Sequence, residues 1–205
     1  MFKTSSPFVI IIFAALLGCA EQNADALAHR AELEEQRHAK NQHFKHDPTS
    51  PLPDSAKTSF SGLHYFSIAF EYRFTGPIEK YAAPETLALA TSDGRVKKAL
   101  RYGRFAFTFE GQPQALEVYR LLTLSPKYAD YLFIPFTDMT SGEESYAGGR
   151  YLDLIEQKEN DYVIDFNLAY NPSCAYGRKD FSCPIPPRNN DLALRIAAGE
   201  KNWKE

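Results

Sequence analysis

Residues 131–154 read YLFIPFTDMTSGEESYAGGRYLDL, residues 165–187 read DFNLAYNPSCAYGRKDFSCPIPP, and residues 196–201 read IAAGEK. Two strand-like runs, 131–136 and 150–155, flank a polar loop that carries Gly142, Gly148 and Gly149, and a third run, 162–166, follows. Short aromatic and β-branched runs separated by turn residues, without helical periodicity between them, point to antiparallel β structure. The same pattern extends back to Gly62, with strands expected over 65–69, 72–75, 86–91, 96–102, 104–110, 115–122 and, at the far end, 193–198. Ser92-Asp93-Gly94 and Glu110-Gly111-Gln112 are turn signals between them. The expectation is a mainly β domain, an antiparallel sandwich or barrel, over residues 51–205.

Ahead of the domain, residues 21–45 are rich in Ala, Glu, Gln, Lys and Arg and contain no Gly or Pro. They read as a helix capped by Asn23 or Asp25 and ended at Asp47-Pro48. Its apolar stripe holds little beyond Leu27, Leu33 and Phe44, so the helix reads as solvated and spans roughly 35 Å, within a tether over residues 19–50. Its four histidines read as exposed surface groups, and the domain itself contains only His64, which leaves no multi-histidine metal site and a poor base for a serine nucleophile such as Ser141. The first 18 residues read as an export signal, with Lys3 as the charged start and FVIIIFAALL (8–17) as an apolar core too short to span a bilayer. Leu16-Leu17-Gly18-Cys19 then resembles the lipobox of bacterial lipoproteins, which implies lipid attachment at Cys19 and cleavage before it. Ala20 in place of Asp implies, by resemblance to enterobacterial sorting, the outer membrane, facing the periplasm.

The formal charge of -3 offers no basic footprint for nucleic acid. With Cys19 assigned to lipid, Cys174 and Cys183 remain as an even pair, which in an oxidising compartment reads as a disulfide; a two-cysteine metal site lacks further ligands. No cofactor motif is present in the chain.

Several segments together resemble the domain-of-unknown-function family 1684: Phe60-x-Gly62-Leu63-x-Tyr65-Phe66, Asp138-x-Thr140-Ser141-Gly142, Tyr146-x-x-Gly149-Arg150-Tyr151-Leu152-Asp153, Asp165-Phe166-Asn167-x-Ala169-Tyr170-Asn171-Pro172-x-Cys174-Ala175-Tyr176, Cys183-Pro184-x-Pro186-Pro187 and Ala198-Gly199-Glu200. The resemblance covers nearly all of the domain. At 189–192 the chain has Asn-Asn-Asp-Leu where the family usually places Glu-Asn before a leucine, so no carboxylate role carries over to Asn189. The resemblance implies no particular activity.

Candidate site residues follow from the pairing expected of 150–155 with 162–166. A four-residue hairpin loop would set Arg150 diagonal to Asp165, as an ion pair. A five-residue loop would gather Leu152, Leu154, Ile164 and Phe166 on one face. Asp153 would then lie opposite Asp165, and Tyr151 opposite Asn167. Burying each large apolar side chain contributes about 1.5–3 kcal/mol, whereas facing like charges costs below about 1 kcal/mol; the second register is therefore favoured. It sets Asp153 beside Asp165, either as an acid/base or cation-binding pair or as a structural pair bridged by Arg150 or Arg178. With Asp138, Ser141, Arg150, Tyr151, Asn167, Tyr170 and Asn171, the pair would line a pocket between the 138–150 and 165–176 loops. Three functions compete on this basis: a membrane-anchored module binding a small ligand or envelope component, a hydrolase using Asp153 and Asp165, and a purely structural envelope protein.

Overall fold

The computed structural model describes the backbone of residues 8–203 and the side chains of residues 24–203. The start of the export signal and the side chain of Cys19 lie outside these described residues. Helix α1 runs Phe8–His46, and residues 41–205 form one compact unit while those before them form another. The stop is the one expected. Pro48 cannot continue the ladder, and the Asp47 carboxylate turns back to accept from Thr49 N at 2.7 Å. The last turn carries Phe44, which stacks edge-on against Tyr176 at 4.7 Å between centroids and joins Phe60, Leu52 and Leu63 in a small apolar cluster. A short helix α2, Asp54–Lys57, follows.

Among the described residues eight strands follow: β1 Arg73–Gly76, β2 Ile78–Lys80, β3 Thr86–Ala90, β4 Val96–Phe109, β5 Gln112–Leu121, β6 Tyr131–Phe136, β7 Arg150–Ile155 and β8 Tyr162–Asp165. A six-stranded antiparallel sheet has the order β2-β4-β5-β6-β7 with β3 also on β4, and β1 pairs β8 in a second, two-stranded sheet. The layers pack face to face as a sandwich, not a closed barrel: Phe74, Tyr162 and Ile164 of the small sheet share one core with Phe105, Phe107, Leu116, Val118, Leu132, Ile134 and Leu152 of the large one. The two strands expected at 96–102 and 104–110 are one 14-residue strand, bent by a bulge between Arg101 and Gly103. Gly103 is needed there, because a Cβ would meet Glu79 O at 2.7 Å, where β2 crosses close by.

The expected β7–β8 hairpin does not form. β7 pairs β6, with Asp153 against Phe133, and β8 pairs β1, with Asp165 against Arg73. The link 156–161 instead crosses between the sheets, tied down by Glu156, whose carboxylate takes Tyr102 Oη (2.5 Å), Lys80 Nζ (2.9 Å) and Arg120. Those contacts, the Tyr102 hydrogen bond foremost, hold its carboxyl down at about 2. Leu152, Ile164 and Phe166 do share one apolar surface, but they meet across the sandwich rather than side by side in one sheet.

Residues 65–69 and 193–198, both expected as strands, are irregular apart from a Tyr65–Glu200 bridge, and side chains supply several of their backbone partners. Asn167 accepts from Ala69 N at 2.9 Å and donates to Ala69 O at 2.8 Å, doing for that segment what a neighbouring strand would do. Ile196 N donates to Asp138 at 2.8 Å, while Ile196 O and Ala198 O accept from Arg150. A third such device closes the large sheet. β5 and β6 share one register pair, Tyr119 with Phe133, and Pro135, next to the last residue of β6, brings no N–H. The buried amide of Asn190 spans the gap, accepting from Glu117 N (2.6 Å) and donating to Glu117 O (2.9 Å) and Pro135 O (2.8 Å).

Candidate functional site

The expected pocket residues separate into two groups. The first is a buried polar knot. Arg150 is fully buried at the core-facing end of β7, with its guanidinium between the rings of Phe66 (5.6 Å) and Phe136 (5.3 Å). It donates to Asp138 Oδ1 at 3.1 Å and to the carbonyls of Ile196 and Ala198. Burial lowers the proton affinity of the guanidinium, and the Asp138 carboxylate opposes that shift. Thr140 and Ser141 hydroxyls donate to the same carboxylate, at 2.9 and 3.2 Å. Ser141 is thus a turn hydroxyl. The knot joins the 138–149 loop to the 196–200 segment through these bonds, with Arg150 Nε buried and without a hydrogen-bond partner among the described residues.

Asp165 does not face Asp153. It is buried, accepts from Asn167 N (2.9 Å) and Asn167 Nδ2 (2.8 Å), and lies 4.0 Å from Arg73 Nε. Its task is to orient the strand-mimicking Asn167. Asn171 is likewise structural: its backbone N–H donates to Glu200 Oε2 at 2.9 Å and its amide to Lys201 O at 2.8 Å. Arg178 pairs Asp180, not either expected aspartate. The acid/base dyad is therefore not assembled, because the two carboxylates belong to different sheets.

The second group lies on the opposite, outer face of the large sheet. Tyr131, Phe133, Tyr151 and Tyr170 line a groove of about 220 Å³ with Leu121, Lys97 and the disulfide-bearing segment. Leu121 and Tyr131 are shared with an adjoining hollow of about 290 Å³ completed by Leu124 and Tyr128, whose side chains are 38% and 45% exposed. Alternation along β6 and β7 sends Tyr131, Phe133, Tyr151 and Asp153 to this face while Leu132, Ile134 and Leu152 fill the core. Asp153 is exposed and takes the hydroxyls of Tyr131 (2.6 Å) and Tyr170 (2.9 Å), fixing two of the lining rings. Burial first, then the Asp153 charge, pushes both phenols far up, so each remains a hydrogen-bond donor. Tyr151 Oη donates to Pro184 O, and the Cys174–Cys183 disulfide, Cα atoms 6.2 Å apart, closes the far wall. Closing that nine-residue loop contributes about 2–3 kcal/mol on the chain-entropy account.

A larger cleft of about 810 Å³ lies near the β2 end of the sheet, lined by Tyr81, Arg101, Arg104 and Glu117. Partly exposed Arg101 grips the buried Glu117 with two bonds of 2.8 Å, and Tyr81 Oη adds 3.0 Å contacts to both carboxylate oxygens. Tyr131 and Phe133 of the groove, and Asn190 of the sheet closure, escaped the sequence reading. The signal for Asn190 was Pro135, a residue without a donor inside an otherwise continuous strand-like run. Among the described residues no group of three or more His, Cys, Asp or Glu side chains is placed to hold a metal, and no helix is long and apolar enough to cross a membrane.

The solution NMR structure of an uncharacterised protein from Haloarcula marismortui is 34% identical to this chain and superposes with a TM-score of 0.67, covering 89% of this chain and 99% of that one. No curated protein matches the chain. Residues 58–201 match the family described as a protein of unknown function, DUF1684, and the chain belongs to that family.

Proposed function

We propose that this protein is an envelope lipoprotein, anchored by lipid on Cys19 to the outer membrane and facing the periplasm, whose β domain binds a ligand in the outer-face groove. The observation that carries the binding half is the groove itself. It joins half-exposed apolar side chains to aromatic walls held rigid by Asp153 and a disulfide. Concave apolar surface with a few fixed polar groups is the usual form of a small-molecule site, and apolar side chains left in water need a reason. The polar cleft at Arg101 is a weaker candidate, since a ligand would have to displace an internal ion pair. The separation of Asp153 from Asp165 removes support for a carboxylate-pair hydrolase.

The anchor rests on the ordered signal, apolar core and Leu-Leu-Gly-Cys step. Cys19→Ser is expected to abolish incorporation of a radiolabelled fatty acid and to release the protein from membranes; a serine variant that still carries label would remove the lipidation site. The groove is tested by chemical-shift mapping with a neutral apolar probe, octanamide. Shifts at Leu121, Leu124 and Tyr131 support it, whereas shifts confined to Tyr81, Arg101 and Arg104 move the site to the polar cleft.

A further inference from the structure

Lys97 lies half-buried on β4 and lines the groove beside Phe133 and Tyr151. Among the described residues it has no carboxylate within ion-pair distance. The nearby acid, Asp93, is already committed: Arg95 binds it at 2.6 Å, and the hydroxyls of Thr91 and Ser182 donate to it at 2.6 and 2.9 Å. Desolvation and the Arg95 charge lower the proton affinity of Lys97, with Asp93 only partly offsetting them. An ammonium group deprived of water and left without a partner gains more from a carboxylate than a solvated surface lysine does. The adjoining hollow, which shares Leu121 and Tyr131 with the groove, is apolar through Leu124 and Tyr128. The groove therefore presents a cation at one place and an aliphatic and aromatic trough at another.

We propose that the groove takes an amphipathic monocarboxylate of the fatty-acid class, its carboxylate on Lys97 and its chain along Leu121, Tyr131 and Leu124. This assignment rests on the groove being the binding site, and it adds the ligand's charge and shape. The committed acid, the unpaired base and the continuous apolar trough all favour a single negative charge on an otherwise apolar body. The phenol of Tyr170 and the Asp153 carboxylate stay engaged with each other at 2.9 Å and add no second cation, which disfavours a dianion such as a phosphate monoester.

The test is calorimetric titration of the full chain carrying Cys19→Ser with octanoate and with octanamide, ligands of one length that differ in charge. Octanoate is expected to bind about tenfold or more tightly than octanamide, the ratio typical of gaining a charge-assisted hydrogen bond. Lys97→Met should erase that preference, bringing the two affinities together while leaving the melting temperature unchanged, and Lys97→Arg should retain it. Equal affinity for the two ligands, or a preference that survives Lys97→Met, would overturn the carboxylate assignment and leave the groove intact as a site. Absence of binding by either ligand would overturn the groove reading together with this one.

Discussion

Arg150→Leu is expected to lower the unfolding free energy by about 3–5 kcal/mol, the cost of breaking a buried pair by removing one partner. Both side chains of the pair are fully buried. The leucine leaves the Asp138 carboxylate without its cation in the interior and strips the Ile196 and Ala198 carbonyls of their donor. The 193–198 segment keeps its core packing through Ile196 and Ala198 and the Met139 N–Leu194 O hydrogen bond, but loses the side-chain donor that stands where a neighbouring strand would otherwise pair. Chemical denaturation at neutral pH measures the effect. Arg150→Lys should recover only part of it, since an ammonium cannot reach the carboxylate and two separate carbonyls in the geometry of a planar guanidinium. A Leu variant within about 1 kcal/mol of wild type would show that the knot is replaceable.

Asn190→Ala is expected to cost about 3 kcal/mol or more, by a different route. No charge is involved. The substitution leaves Glu117 N–H, Glu117 C=O and Pro135 C=O inside the sheet without their partner, and each buried unsatisfied group costs about 1–3 kcal/mol. β5 and β6 cannot close the gap directly, because Pro135 has no N–H to offer. Asn190→Asp should be no better. It keeps an acceptor for Glu117 N–H but loses both donated bonds and turns a carboxylate toward two carbonyl oxygens. Faster amide exchange at Glu117 and Tyr119 would accompany the loss, and unchanged exchange with unchanged stability would show that the sheet closes without this amide.

These two residues also mark the limit of what the chain's order of residues discloses. β6 and β7 were legible to their end residues, because their apolar runs are bounded by turn-forming segments. So was the apolar face formed by Leu152, Ile164 and Phe166. What stayed hidden was the partner of each strand. Alternation assigns a side chain to a face but carries no information on which strand lies alongside, and β7 found β6 across a 13-residue loop rather than β8 across a short link. The mistaken hairpin created the apparent Asp153–Asp165 pair. Arg150, Asp138 and Asn167 looked like site residues for a related reason: polar side chains that replace strand neighbours have the same composition as polar side chains that meet a ligand. Telling the two apart requires knowing what is buried. Tyr131 and Phe133 were passed over for the opposite reason, since an aromatic on a strand reads as core whichever face it occupies.

The division between a polar knot that holds the fold and an outer face free for binding is tested most directly by comparing Asp138→Asn with Asp153→Asn in one denaturation experiment. Asp138 is buried against Arg150, whereas Asp153 is exposed and accepts from the hydroxyls of Tyr131 and Tyr170. Asp138→Asn should lower the unfolding free energy by a few kcal/mol, because it strands a buried guanidinium, and Asp153→Asn should change it by less than about 1 kcal/mol. The reverse order, with Asp153→Asn the damaging substitution and Asp138→Asn tolerated, would contradict the assignment of staple and site.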